Sequence, residues 1–153
     1  MTNYLSSAAI FELALDVGTP ADMGTVNGHG RRLVPILGGT FSGEYSGTVL
    51  PGGADWQTVR PDGTLELDAR YVLAVAGSGA TVEVHSEGLR SGSPEVLARL
   101  ARGEVVAAND YYFRTAMRFR TASPQLDRLN AILAVAVGER LPKQVRIAVY
   151  PVL

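Results

Sequence analysis

Gly38, Gly39, Gly43, Gly47, Gly52 and Gly53 crowd into a stretch that otherwise reads as strand, and the stretch runs on into Asp55, the only tryptophan, Trp56, and Gln57. Glycines inside strand-like sequence mark bulges, sharp bends or the close approach of another backbone or a ligand. Bulky polar residues placed straight after such a bend are well sited to point into a barrel or cleft. The pattern predicts a small antiparallel β-barrel with a lined interior.

Length and composition bound the rest. A chain of 153 residues is the size of one domain, expected to span residues 1–153. With 46% hydrophobic and 19% charged residues it can bury a substantial core. The net charge is −1 and no basic stripe stands out, which argues against a nucleic-acid partner. No apolar run approaches the roughly 20 residues that cross a bilayer, so no membrane partner is expected. Met1 to Tyr4 lack a basic leader region, and a cytoplasmic location is the expectation. The absence of cysteine excludes disulfides and thiolate chemistry. Of 14 basic residues only Lys143 is a lysine, so fixed arginine charges, suited to bidentate anion contacts, dominate.

Along the chain, Phe11, Leu13 and Leu15 alternate with Glu12 and Asp16 as a half-buried strand. Residues 18–30 read as a loop, and 31–43 as a bent or edge strand interrupted by Pro35 and Gly38-Gly39. Shorter strands cover 48–50 and 55–60, and Pro61-Asp62-Gly63 predicts a hairpin turn into paired strands over 64–76 and 80–88. Ser93-Pro94-Glu95 and Ser123-Pro124 open two short helices. Between them Tyr112, Arg114 and Ala116 share one strand face, and Phe113, Thr115, Met117 and Phe119 the other. Two apolar strands, 132–137 and 145–152, finish the chain. About eight such strands would enclose side chains or one small ligand.

Several strings resemble the DUF3237 (UPF0311) family: Gly30-Arg31, Gly38-Gly39-x-Phe41-x-Gly43, Gly47 through Gln57 with its PGGADWQ core, Asp68-Ala69-Arg70-Tyr71, Tyr112-Phe113-Arg114-Thr115 and Leu129-Asn130. The resemblance covers nearly the whole chain. It implies a single β-barrel domain in a family without an assigned activity, with cofactor-independent ring closure or isomerisation as a class to test. Two positions depart from the pattern. Gly77-Ser78-Gly79 stands where relatives carry an acidic pair, and Arg128 stands where an aromatic precedes Leu129-Asn130.

On a strand Asp55 and Gln57 face one way and Trp56 the other. Asp55 is a candidate general base or hydrogen-bond anchor, with Gln57 orienting a ligand oxygen; the alternative is a carboxylate that caps the Gly52-Gly53 turn. Arg114 and Tyr112 are candidates to hold developing negative charge, with Asp55, Glu87 or a ligand anion as the arginine's partner. Trp56 or Tyr71 would shape the wall, and Arg31 and Glu87 complete the candidate substrate contacts. Glu83, His85 and Glu87 form a titratable row on one strand face, read either as a proton-transfer row or as a wet outer face. His29 sits in a glycine-rich loop. Metal spacing, phosphate-cradling loops and a G-x-S-x-G elbow are not found, so neither metal nor cofactor is expected. The expected function is a cofactor-free acid/base enzyme (isomerase, cyclase or lyase) acting on a small apolar or aromatic organic molecule. The alternatives are a non-catalytic carrier or sensor, and a structural homodimer joined through edge strands.

Overall fold

The computed structural model describes residues 3–153, whose strands join in one antiparallel sheet that closes on itself. Met1 and Thr2, part of the stretch read above for a leader, lie outside the described residues. The strands are β1 (Phe11–Val17), β2 (Ala21–Val26), β3 (His29–Gly43), β4 (Gly47–Val49), β5 (Gly53–Val59), β6 (Leu65–Val75), β7 (Thr81–Ser91), β8 (Tyr112–Arg120), β9 (Ala134–Arg140) and β10 (Gln144–Pro151). The ring runs β1, β10, β9, β8, β7, β6, then β4 and β5 end to end as one stave, then β3, which pairs back to β1. This is the closed eight-stave barrel that the glycine pattern predicts. No helix among the described residues is long and apolar enough to cross a membrane.

The stretch expected to be a bent or edge strand interrupted at Pro35 and Gly38-Gly39 is one strand, β3, and it is no edge. It pairs with β1 on one side and with β4 and β5 on the other, with a register shift where Asp16 pairs with Gly38 and Val17 with Ile36. Gly39 makes the closure possible. Its φ is +138°, and a Cβ there would lie 2.0 Å from the carbonyl oxygen of Ala14 on β1. The seam between first and third strands therefore closes only around hydrogen.

Residues 18–30 are not a loop throughout. They contain β2, which pairs with the first part of β3 through a turn at Asn27 (φ +52°) and Gly28 (φ +82°). Asn-Gly with both φ positive is the turn that matches the twist of a two-residue hairpin. Every β2 residue is exposed, so no alternation of burial betrays the strand.

The turn at Pro61-Asp62-Gly63 forms as expected. Gly63 takes φ +89°, and the Asp62 carboxylate accepts the Thr64 N–H at 2.9 Å. Ser93 caps α1 (Pro94–Ala101) by accepting the Val96 N–H at 3.2 Å. The second Ser-Pro opens a 3₁₀ helix, Pro124–Ala131, which receives no side-chain cap from Ser123. Asn130 instead clamps its far end to β8: its Oδ1 accepts the Thr121 N–H at 2.8 Å, and its Nδ2 donates to the Thr121 carbonyl at 2.9 Å.

Two apolar clusters divide the interior. Beside the 3₁₀ helix, Phe11 meets the rings of Phe41 and Phe119 edge-on at 5.7 and 6.0 Å, with Leu73, Val82, Leu126 and Leu129 packed around them. That end is filled solid. At the opposite end Leu100 and Val106, from the connection between β7 and β8, close over Leu65, Leu67, Tyr111 and Phe113.

Candidate functional site

Between the solid end and the α1 end, the inward faces turn polar. Along β7 the buried row Val82, Val84, Ser86 continues to Arg90, and along β9 Ala134, Ala136, Gly138 continues to Arg140. Arg32 shares parity with the buried Val34 and Ile36 on β3. Asp55 and Gln57 from β5, Tyr71 from β6 and Thr115 from β8 complete the set. These side chains line a cavity of about 60 Å³ whose remaining wall is apolar, including Leu15, Ile36, Leu67, Phe113 and Ile147.

The polar groups form a chain of hydrogen bonds. Arg32 donates from Nε and Nη2 to Gln57 Oε1 at 3.0 and 2.6 Å, and Gln57 Nε2 donates to Asp55 Oδ2 at 2.8 Å. Asp55 Oδ1 accepts the Asp68 N–H at 2.9 Å. That amide is free because the β5–β6 ladder opens between the pairs Asp55↔Ala69 and Thr58↔Glu66. The carboxylate thus stands in for a missing ladder acceptor. It does not cap the Gly52-Gly53 turn, the structural role the sequence suggests for it.

Elsewhere in the cavity the partners run out. Among the described residues, nothing partners Tyr71 Oη, Arg90 Nε, Thr115 Oγ1 and Arg140 Nη1, which are buried. Such groups cost free energy when left unpaired in a folded protein. Burial and the neighbouring Arg140 and Arg32 charges lower the Arg90 pKa to about 10, so it stays cationic at neutral pH. Burial also lowers the pKa values of Arg32, where Asp55 and Asp22 oppose the effect, and of Arg140, where the Arg32 charge adds to it. Burial raises the Asp55 pKa, against the Gln57 and Asp68 hydrogen bonds and the Arg90 charge. The Tyr71 phenol is raised by its complete burial and then by Asp55, and stays neutral. Three guanidiniums therefore face one carboxylate. The cavity carries excess positive charge and spare N–H donors, and it suits an anion.

Comparison with known proteins places the chain. The model of the family described as "Protein of unknown function (DUF3237)" matches residues 6–152. The chain belongs to the DUF3237 family. A UPF0311 protein of Rhodopseudomonas palustris is 40% identical over the full length of both chains, and its crystal structure superposes with a TM-score of 0.91. A UPF0311 protein of Clostridium acetobutylicum is 38% identical over 94% of this chain and 91% of its own. A protein of Acinetobacter baumannii described as β-barrel-like is 35% identical, with a TM-score of 0.84 over 100% of this chain and 99% of its own. A structure described as an enzyme from Penicillium herquei has the same fold at 20% identity and a TM-score of 0.72, covering 100% of this chain and 98% of its own.

Of the residues singled out in this DUF3237 chain, Asp55, Gln57 and Tyr71 meet in the cavity, and the others do not. Tyr112 and Arg114 point outward, because Phe113, Thr115 and Met117 are the buried alternate set of β8 and take the interior. The Arg114 guanidinium stacks over the Tyr112 ring at 5.3 Å and donates to the Phe113 carbonyl at 2.9 Å. Trp56 is 44% exposed on the outer face, opposite in parity to Asp55. Arg31 also faces out, bonded to Thr58 Oγ1, and its neighbour Arg32 takes the inward place. The sequence signal for the missed arginines was parity: Arg32, Arg90 and Arg140 each extend an alternate row of small or apolar residues.

Glu83, His85 and Glu87 occupy the outer face. There His85 Nε2 lies 2.9 Å from Asp68 Oδ1 and 3.0 Å from Glu87 Oε1. Among the described residues, Asp68, His85 and Glu87 are those whose donor atoms converge closely enough to hold a metal ion, a spacing created across two strands and invisible along one. Arg70 and Arg118 flank His85 in register on either side, and their charges oppose a cation there. Arg128 bonds Glu44 at 2.9 Å at the solid end, remote from the cavity.

Proposed function

We propose that the barrel binds a small organic acid, or the enolate of a carbonyl compound, and moves a proton on it without a cofactor. The observation that carries this reading is the set of buried donors without partners, Arg90 Nε, Arg140 Nη1 and Tyr71 Oη, facing the single carboxylate of Asp55. An anion in the cavity would satisfy donors that otherwise stand unpaired. In this scheme the ionised Asp55 takes a proton from a carbon beside a carbonyl, and the bond's electron pair moves onto the carbonyl oxygen. The guanidiniums and the neutral Tyr71 hydroxyl stabilise that oxyanion. Return of the proton from Asp55 at a different atom is an isomerisation; addition of the carbanion or oxyanion to an internal electron-poor double bond, whose π pair is then protonated by Asp55, is a ring closure. Each Asp55 oxygen accepts one hydrogen bond and keeps a lone pair for this work.

The test uses 2-oxobutanoate in D₂O, followed by NMR. Saturable binding and deuterium entering at C3 faster than in buffer are expected, with Asp55→Asn abolishing the exchange and Arg90→Ala weakening binding at least about tenfold. Binding without exchange would favour a carrier, a reading that the engagement of both Asp55 oxygens also supports. Failure of any small carboxylate to bind would remove both readings.

A further inference from the structure

The 60 Å³ cavity is less than half the roughly 150 Å³ that accommodates benzene in a protein interior. A ligand of more than a few heavy atoms must extend beyond it. A second space, of about 340 Å³, lies outside the barrel end beneath α1 and beside the Pro61-Asp62-Gly63 turn. The two spaces share two lining residues, Arg32 and Arg90. The second is walled mainly by Val59, Leu65, Pro94, Leu97, Ala98 and Ala101, so it is an apolar shelf reached past two cations.

We infer that the ligand is an amphipathic carboxylic acid, its anionic group held at the Arg32–Arg90 partition and its apolar part lying on the shelf under α1. This rests on the proposal that the cavity takes an organic anion, and it adds the class and the direction in which the molecule lies. Charge and surface agree on it. The partition supplies spare N–H donors, since Arg90 Nε has no partner, while the shelf supplies no second charge except exposed Asp62 at its rim. Asp62 would disfavour an anion at the far end of the ligand, and so directs the charged end inward.

Calorimetric titration with acetate, butanoate, hexanoate and octanoate tests the inference. Affinity should rise roughly two- to fourfold for each methylene that reaches the shelf. Ala98→Trp and Ala101→Trp, which fill the shelf from the exposed side of α1, should flatten that rise, and unchanged melting curves will show that the barrel is intact. Affinity independent of chain length, or a rise that both tryptophan variants leave untouched, overturns the shelf while leaving an anion-binding cavity in place. If acetate and octanoate both fail to bind, the cavity reading itself falls and the shelf with it.

Discussion

Burial keeps a proton on Asp55 to a higher pH than in the unfolded chain. Between the ordinary aspartate value of about 3.9 and the raised one, the native state holds more protons, and stability falls as pH rises. Asp55→Asn removes this titration. The melting temperature of the variant relative to the parent should therefore climb as pH rises through that window and then level off; a difference that stays flat in calorimetric scans would show that Asp55 titrates normally. Anion affinity should decline over the same window, because the ionised carboxylate competes for the guanidiniums, and the variant should lose the decline. Asp55 and Gln57 were legible because the glycines before them announce a bend, and Tyr71 because its parity opposes Asp68 and Arg70. Arg114 misled because its charge drew attention while its strand neighbours decided its direction: Phe113, Thr115 and Met117 had the stronger claim to the interior.

Strands and turns with a burial period could be read from the chain, and those without one could not. The turn at Gly63 and the α1 cap follow from local chemistry. β2 escaped because all its residues are exposed, although Asn27-Gly28 marks its turn. The pairing of β3 on both sides escaped because its glycines serve a contact with β1, which no local reading reveals. Asn130 belongs to this scale, since it ties the 3₁₀ helix to the end of β8. Asn130→Ala forfeits both bonds to the Thr121 backbone and should cost about 1–3 kcal/mol, seen as a lower urea midpoint with an unchanged slope. Carboxylate binding at the far end of the barrel should be unaffected.

Across the whole molecule, the solid end holds the ring together and the polar end weakens it. Arg90 is only 6% exposed and has a buried donor without a partner, a costly arrangement for a folded chain with no ligand. Arg90→Met keeps most of the side-chain volume and removes the charge. The variant should melt higher than the parent, by about 2–4 °C for each kcal/mol recovered, and bind small carboxylates at least about tenfold more weakly. A lower melting temperature would mean that the guanidinium contributes to folding in its own right. Saturating carboxylate should, conversely, raise the melting point of the parent far more than that of the variant.

Residues 92–111, which carry α1, leave the ring at the end of β7 and rejoin it at β8, its immediate neighbour. The segment can be regarded as an interchangeable cassette. Grafting the corresponding stretch from another DUF3237 protein would transplant the roof over Arg32 and Arg90 and leave every stave-to-stave pairing as it is, so ligand preference could drift between relatives without the barrel having to be refounded.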